Sequence, residues 1–180
     1  MQNGKTRRLT YALAKTKETQ IIQKGLAAYI PEDVVQELIK GNRLIIGKGR
    51  RYEVFLISDP LWELFQNVKP QHPYFIGVFL GELKGHKFQP SLHILQRLAD
   101  NARPGVKVIV SASGEQRFLY GHSIDALEFA TDAPLSEGKK TVIVVNKEED
   151  GLGYGSVEIL PERTTLKNQL DLGWYLRRGQ

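Results

Sequence analysis

The chain contains no cysteine. That absence removes disulfides, Cys-ligated zinc, iron–sulfur clusters and thiol catalysis together, and it fits a reducing compartment. Long apolar runs are missing as well: no stretch of 18 or more apolar residues is available to span a bilayer. The first 17 residues carry Lys5, Arg7, Arg8, Lys15 and Lys17 and no acid, yet lack the continuous apolar segment of a secretory signal. They read as a loose basic arm leading into a helix, with an Arg-rich transit peptide as the alternative.

Reactive groups are equally thin. The four histidines, His72, His86, His93 and His122, form no H-x-x-x-H or H-x-x-E-H pair, so no metal site is expected. Glu148, Glu149 and Asp150 are consecutive in a turn, where like charges point into water. No serine stands in a G-x-S-x-G elbow. GKGRR (47–51) lacks the Walker spacing and its Lys-Ser/Thr pair, and reads as a basic hairpin turn. GLGYG (151–155) has the spacing of a nucleotide loop but runs straight into SVEIL, a strand. A phosphate loop must open a helix, so these glycines are read as letting a barrel strand pass close to its neighbours. Neither a catalytic residue nor a cofactor is expected.

What is present describes an ordinary folded protein. A hydrophobic fraction of 41% against 25% charged, in 180 residues, suits one large domain or two small ones. The net charge of +5 attracts polyanions, nucleic acid or an acidic membrane face. Helical spacing appears in ETQIIQKGLAAYI (18–30), in PEDVVQELIKG with its leading proline and closing Gly41, in SDPLWELFQNV and in PSLHILQRLADNA. NRLIIGKGRRYEVFLIS reads as a hairpin and YFIGVFLGELK as a strand. After ARPGVK the chain turns to short strands, VKVIVSA, KKTVIVVN and GLGYGSVEIL. A boundary near 102–105 therefore gives an α+β protein of two domains, an α/β domain over 1–102 and a β-rich one over 103–180.

The C-terminal run PERTTLKNQLDLGWYLRRG holds Arg163, Lys167, Arg177 and Arg178 among Trp174 and Tyr175. Cations for phosphates, interleaved with rings on which bases stack, are what single-stranded RNA surfaces need. At least one of the two rings is expected in the core, because a strand sends neighbours to opposite faces.

Taken together, GEQRFLYG after a β-run, then VIVVN, GLGYG and DLGWYLRR, resemble a PUA domain, a small RNA-binding pseudo-barrel. In that likeness GEQRFLYG is a short helix: Gln116 and Arg117 are exposed, Phe118 and Leu119 seal the barrel, and Gly121 supplies the turn. With ISDPLWELFQNV and IGVFLGELKGHKFQPSLHIL in front, residues 50 to 178 resemble the Nip-seven family of ribosome-biogenesis factors. The first 50 residues match less well.

The resemblance implies a non-enzymatic factor in large-subunit ribosome assembly and pre-rRNA processing, with a preference for U-rich RNA. Its C-terminal domain would bind rRNA, and its α/β domain would contact other assembly proteins; it implies no membrane role and a monomer. The family's basic RNA-binding positions fall here on Arg163 and Lys167. Two more fall on Thr164 and Leu170, so Arg117, Arg177 and Arg178 are expected to compensate. The lack of cysteine and the compact termini suggest an archaeal-type member in the cytoplasm, whereas a eukaryotic one would be nucleolar. The rival readings are an RNA-modifying enzyme with a PUA docking module, and a protein-interaction module with no RNA role.

Overall fold

The structure is a computed structural model that describes residues 10–67, 75–130, 138–160 and 163–178. Lys5, Arg7 and Arg8 of the basic arm, His72, and the start of the YFIGVFLGELK run lie outside the described residues. Contacts group the chain into two units, residues 1–28 with 32–93, and 29–31 with 94–180.

The first unit starts with the strand Thr10–Leu13 (β1) and the helices Thr16–Ala27 (α1) and Glu32–Ile39 (α2). Then come the hairpin Asn42–Lys48 (β2) and Tyr52–Ser58 (β3), the helix Asp59–Asn67 (α3), and the hairpin Val78–Lys84 (β4) and Lys87–Pro90 (β5). All five strands lie in chain order in one antiparallel sheet. The backbone N–H of Lys15 donates to Glu18 Oε2 at 2.7 Å, satisfying a group that the helix start leaves unpaired. Helix α1 buries Ile22 and Leu26 and crosses β5 so closely that a Cβ on Gly25 would meet Phe88 Cβ at 2.6 Å. Strand alternation sends Ile45, Phe55 and Ile57 to the other face, where Tyr11, Trp62, Phe65 and Phe79 pack around them. Tyr11 meets Phe55 and Phe65 edge-on at 5.7 and 5.6 Å.

Two of these strands were not expected. β1 occupies the end of what reads as a loose arm, and β5 follows a turn and ends on a proline. Each has only four residues, too few for alternation to register, so pairing with a longer neighbour, not propensity, makes it a strand. The helix expected over PSLHILQRLADNA is shorter than its periodicity suggests. A 3₁₀ turn, Leu92–Ile94, precedes the helix Leu95–Asp100 (α4).

The second unit continues with Lys107–Ile109 (β6), the helix Ala112–Leu119 (α5) and Ile124–Asp125 (β7), which a 3₁₀ turn, Ala126–Glu128, follows. Gly138–Val145 (β8), Gly151–Leu160 (β9), Arg163–Asp171 (β10) and the helix Gly173–Arg178 (α6) complete it. The sheet order is β6-β8-β9-β10-β7, antiparallel except for the β6–β8 pair. Val108, Val110, Phe118, Ile124, Val142 and Leu166 belong to its buried core. Ser111 caps α5 by accepting from the Gly114 N–H at 3.2 Å, and Phe118 on that helix is fully buried. Gly121 takes the positive φ (85°) that turns the chain after it.

GLGYG lies wholly in β9, where the glycines admit close neighbours: a Cβ on Gly155 would stand 2.5 Å from Leu166 Cδ1. The expected terminal strand is instead α6. Trp174 is half-buried and Tyr175 exposed, their rings edge-on at 5.2 Å. Two contacts explain the switch to helix. Buried Asp171 accepts from both terminal guanidinium nitrogens of Arg177 at 3.0 and 2.8 Å, six residues on. Gly173 also lies where any Cβ would meet the Leu119 carbonyl oxygen at 2.0 Å.

Candidate nucleic-acid interface

Strand β10 carries Arg163 and Lys167 four residues apart, hence on one face, with Leu166 turned into the core. Arg163 reaches across to β7, donating from Nε and Nη2 to Asp125 Oδ1 at 3.1 and 2.8 Å. Lys167 donates to Glu158 Oε2 on β9 at 2.9 Å. Arg117, in the last turn of α5, approaches the same segment as Arg163: it donates to Glu128 Oε1 at 3.3 Å and to the Ser123 carbonyl at 3.4 Å. The fold thus brings Arg163 and Arg117 to the two sides of residues 123–128, with Lys167 further along β10. Thr164 and Leu170 are half-buried on the same strand.

Arg177 has different surroundings. Besides Asp171 it donates to the Leu119 carbonyl, and hydrogen bonding to Asp171 raises its pKa above the usual arginine range. A two-pronged bond to a buried carboxylate ties this side chain to the fold. Arg178 lies in the same helix, its side chain outside the described residues.

The other three cations are more than half exposed, and so they are available to an anion. Exposed ion pairs contribute only about 0 to 1 kcal/mol, so a phosphate can displace a carboxylate from any of them.

Beside this strip a groove of about 690 Å³ opens between the end of α5, the β8–β9 turn and α6. Gln116, Leu119, Tyr120, Asn146, Leu152 and Arg177 are among its lining residues, and Tyr120 is 62% exposed. An exposed ring beside amide groups can stack a base and hydrogen-bond its edge. Tyr120 stands in the quoted GEQRFLYG segment, but its exposure was not legible there. Only the turn of the chain at Gly121 decides which face of α5 remains open.

Groups considered for chemistry have structural surroundings. Glu149 pairs with Lys107 at 2.6 Å, and the Asp150 N–H donates to Asn146 Oδ1 at 2.8 Å. His93 lies edge-on to Phe79 at 5.7 Å. Burial pushes Tyr29 up to about 12 and Tyr154 higher still, so both stay protonated near neutral pH. Among the described residues no group of three His, Asp or Glu side chains is placed to hold a metal.

Both halves of the chain match family models: residues 13–92 the NIP7/UPF0113 pre-PUA domain, and residues 106–180 the UPF0113 PUA domain. The UPF0113 protein of Aeropyrum pernix is 32% identical over 81% of this chain and 80% of its own length. The chain belongs to the NIP7/UPF0113 family. Within it, the 60S ribosome subunit biogenesis protein nip7 of Schizosaccharomyces pombe is 24% identical over 89% of this chain and 93% of its own. The structure of a conserved PUA domain protein from Thermoplasma acidophilum superposes with a TM-score of 0.58 at 15% identity. It covers 94% of this chain and 99% of that one, a likeness of fold. The second unit's curled sheet and capping helix are thus those of a PUA domain, and the first 50 residues belong to the family as well, from residue 13.

Proposed function

We propose that this NIP7/UPF0113 protein is a non-enzymatic RNA-binding factor in large ribosomal subunit assembly and pre-rRNA processing. The observation that carries this reading is the family match over both units, whose relatives include proteins named for 60S biogenesis. The PUA domain docks on rRNA through Arg163, Lys167 and Arg117, with α6 supplying Arg178 and, through its hold on Asp171, Arg177. U-rich single strands are its preferred ligand, and Tyr120 offers a stacking surface beside the cations. The α/β domain engages other assembly proteins, and the factor works as a monomer. It acts in the cytoplasm of an archaeon; the same role in a eukaryote would be nucleolar.

Fluorescence anisotropy of the whole protein with U-rich and A-rich RNA at several salt concentrations tests this. Tighter binding to the U-rich strand is expected. In Arg163→Ala/Lys167→Ala the salt slope should fall by about 1.4, two single-strand phosphate contacts at about 0.7 each. Equal binding to both RNAs with an unchanged slope in the variant would reject the strand preference and the site together.

A further inference from the structure

The basic turn GKGRR in the first unit takes no part in the PUA strip. Strand pairing shows what stands beside it. Lys48 is opposite Tyr52, Tyr52 is opposite Leu83, and Lys84 is opposite Lys87. The tips of both hairpins therefore share one end of the first sheet. Residues 48–53 and 82–87 hold five lysines and arginines and His86, against two acids, Glu53 and Glu82.

Those acids are engaged on one side of the cluster. Glu82 pairs with Arg51 at 2.9 Å and Lys84 at 3.8 Å. Burial, with the charge of nearby Glu53 added to it, pushes the Tyr11 phenol up to about 12. Lys48, Arg50 and Lys87 stand outside these pairs, and among the described residues no carboxylate is within ion-pair distance of them. Tyr52, 50% exposed, pairs with Lys48 across the strands and stands two residues from Arg50, while Lys87 lies two strands further along the same sheet end. Solubility is served by charges of both signs interspersed. Here one sign dominates a whole sheet end, an aromatic ring stands beside Lys48 and Arg50, and the Arg51–Glu82 pair links the two hairpin tips.

We infer that the hairpin end of the first sheet is a second RNA-backbone site, in which Lys48, Arg50 and Lys87 meet phosphates and Tyr52 stacks a base. Cations tracking a backbone beside a ring that any base can cover are the features of a sequence-tolerant single-strand site. Five strands about 4.8 Å apart make this edge about 19 Å long, room for several nucleotides. The phosphates displace no carboxylate from these three cations. This inference rests on the reading of the chain as RNA-binding but uses none of the PUA residues.

The test compares the whole wild-type protein, Lys48→Gln/Arg50→Gln/Lys87→Gln, and Arg163→Ala/Lys167→Ala in salt titrations with U-rich and A-rich RNA. In the triple variant a salt slope shallower by about 2, a loss of affinity of about tenfold, and equal losses on both RNAs are expected. Ultraviolet crosslinking of 4-thiouridine RNA to the wild-type protein needs no variant, and it should label the peptide containing Tyr52. If the wild type binds RNA, the PUA variant weakens it, the triple variant does not, and crosslinks fall only within residues 94–178, this inference is overturned while the PUA reading stands. If the wild type binds no RNA at low salt, both fall.

Discussion

In the second unit Arg163, Lys167 and Arg117 each lean on a carboxylate, Asp125, Glu158 and Glu128. At the hairpin end of the first, Lys48, Arg50 and Lys87 face no such partner among the described residues. The difference decides what an incoming phosphate must do. In the second unit it exchanges one anion for another, so the gain per contact is small and geometry chooses the ligand. In the first it meets open cations, so attraction is stronger and less selective. A net charge of +5 conceals this division, because net charge does not distinguish a paired cation from an open one.

The cores differ in the same spirit. Phe118 is the one fully buried ring of the second unit's core cluster, with Phe129 packed against it, whereas a core cluster of the first shares its burial among Tyr11, Phe55, Trp62, Phe65 and Phe79. Phe118→Ala is thus expected to cost about 3 to 5 kcal/mol. Where that loss unfolds the second unit, the variant should lose the part of the RNA salt slope that depends on Arg163 and Lys167 and keep the part that depends on Lys48, Arg50 and Lys87. Urea unfolding and salt titration of the same variant measure both. A uniform loss of the whole slope would erase the distinction between the two surfaces.

Alkaline pH offers a sharper comparison of intermediate size. Tyr29 is raised from 10 to about 12 by burial, so its neutral form is favoured by folding. Its contribution is whole below pH 10 and is lost as pH rises through about 12, a loss of about 2 to 3 kcal/mol. Tyr29→Phe keeps the ring facing Tyr154 at 5.7 Å and should flatten that decline, read as unfolding midpoints at pH 9 and pH 12. Tyr154 beside it, raised further by burial, and Tyr11 in the first unit would continue to titrate in the variant, so the decline is reduced and not abolished. An unchanged decline would show that Tyr29 does not carry the alkaline loss.

The smallest effect bears most directly on charge. Removing the Lys167 partner by Glu158→Gln is expected to tighten RNA binding about two- to threefold, in keeping with an exposed pair of under about 1 kcal/mol. Anisotropy at low salt would register it. Weaker binding instead would mean that Glu158 positions Lys167 for the phosphate and does not compete with it.

Much of this molecule could be read without coordinates. The hairpin around GKGRR, the glycines of GLGYG as strand residues, and the helix over GEQRFLYG followed from turn chemistry, periodicity and the family likeness. Elements that depend on a distant partner were less legible. β1 and β5 are strands because longer strands accept their hydrogen bonds. The DLGWYLRR segment is a helix because Asp171, Arg177 and the Leu119 carbonyl meet, which spacing along the chain does not reveal. Tyr120 and Tyr52 were invisible as surface rings, since an aromatic residue has the same symbol in a core as on a face.

By itself, then, the sequence determined the family, the mixed α and β architecture, and the supply of cations. These are matters of composition, local propensity and pattern, which each segment carries alone. Tertiary structure decided which cations are paired and which are open. Ion pairing is set by where strands place side chains from residues tens of positions apart: Arg163 with Asp125, Arg51 with Glu82.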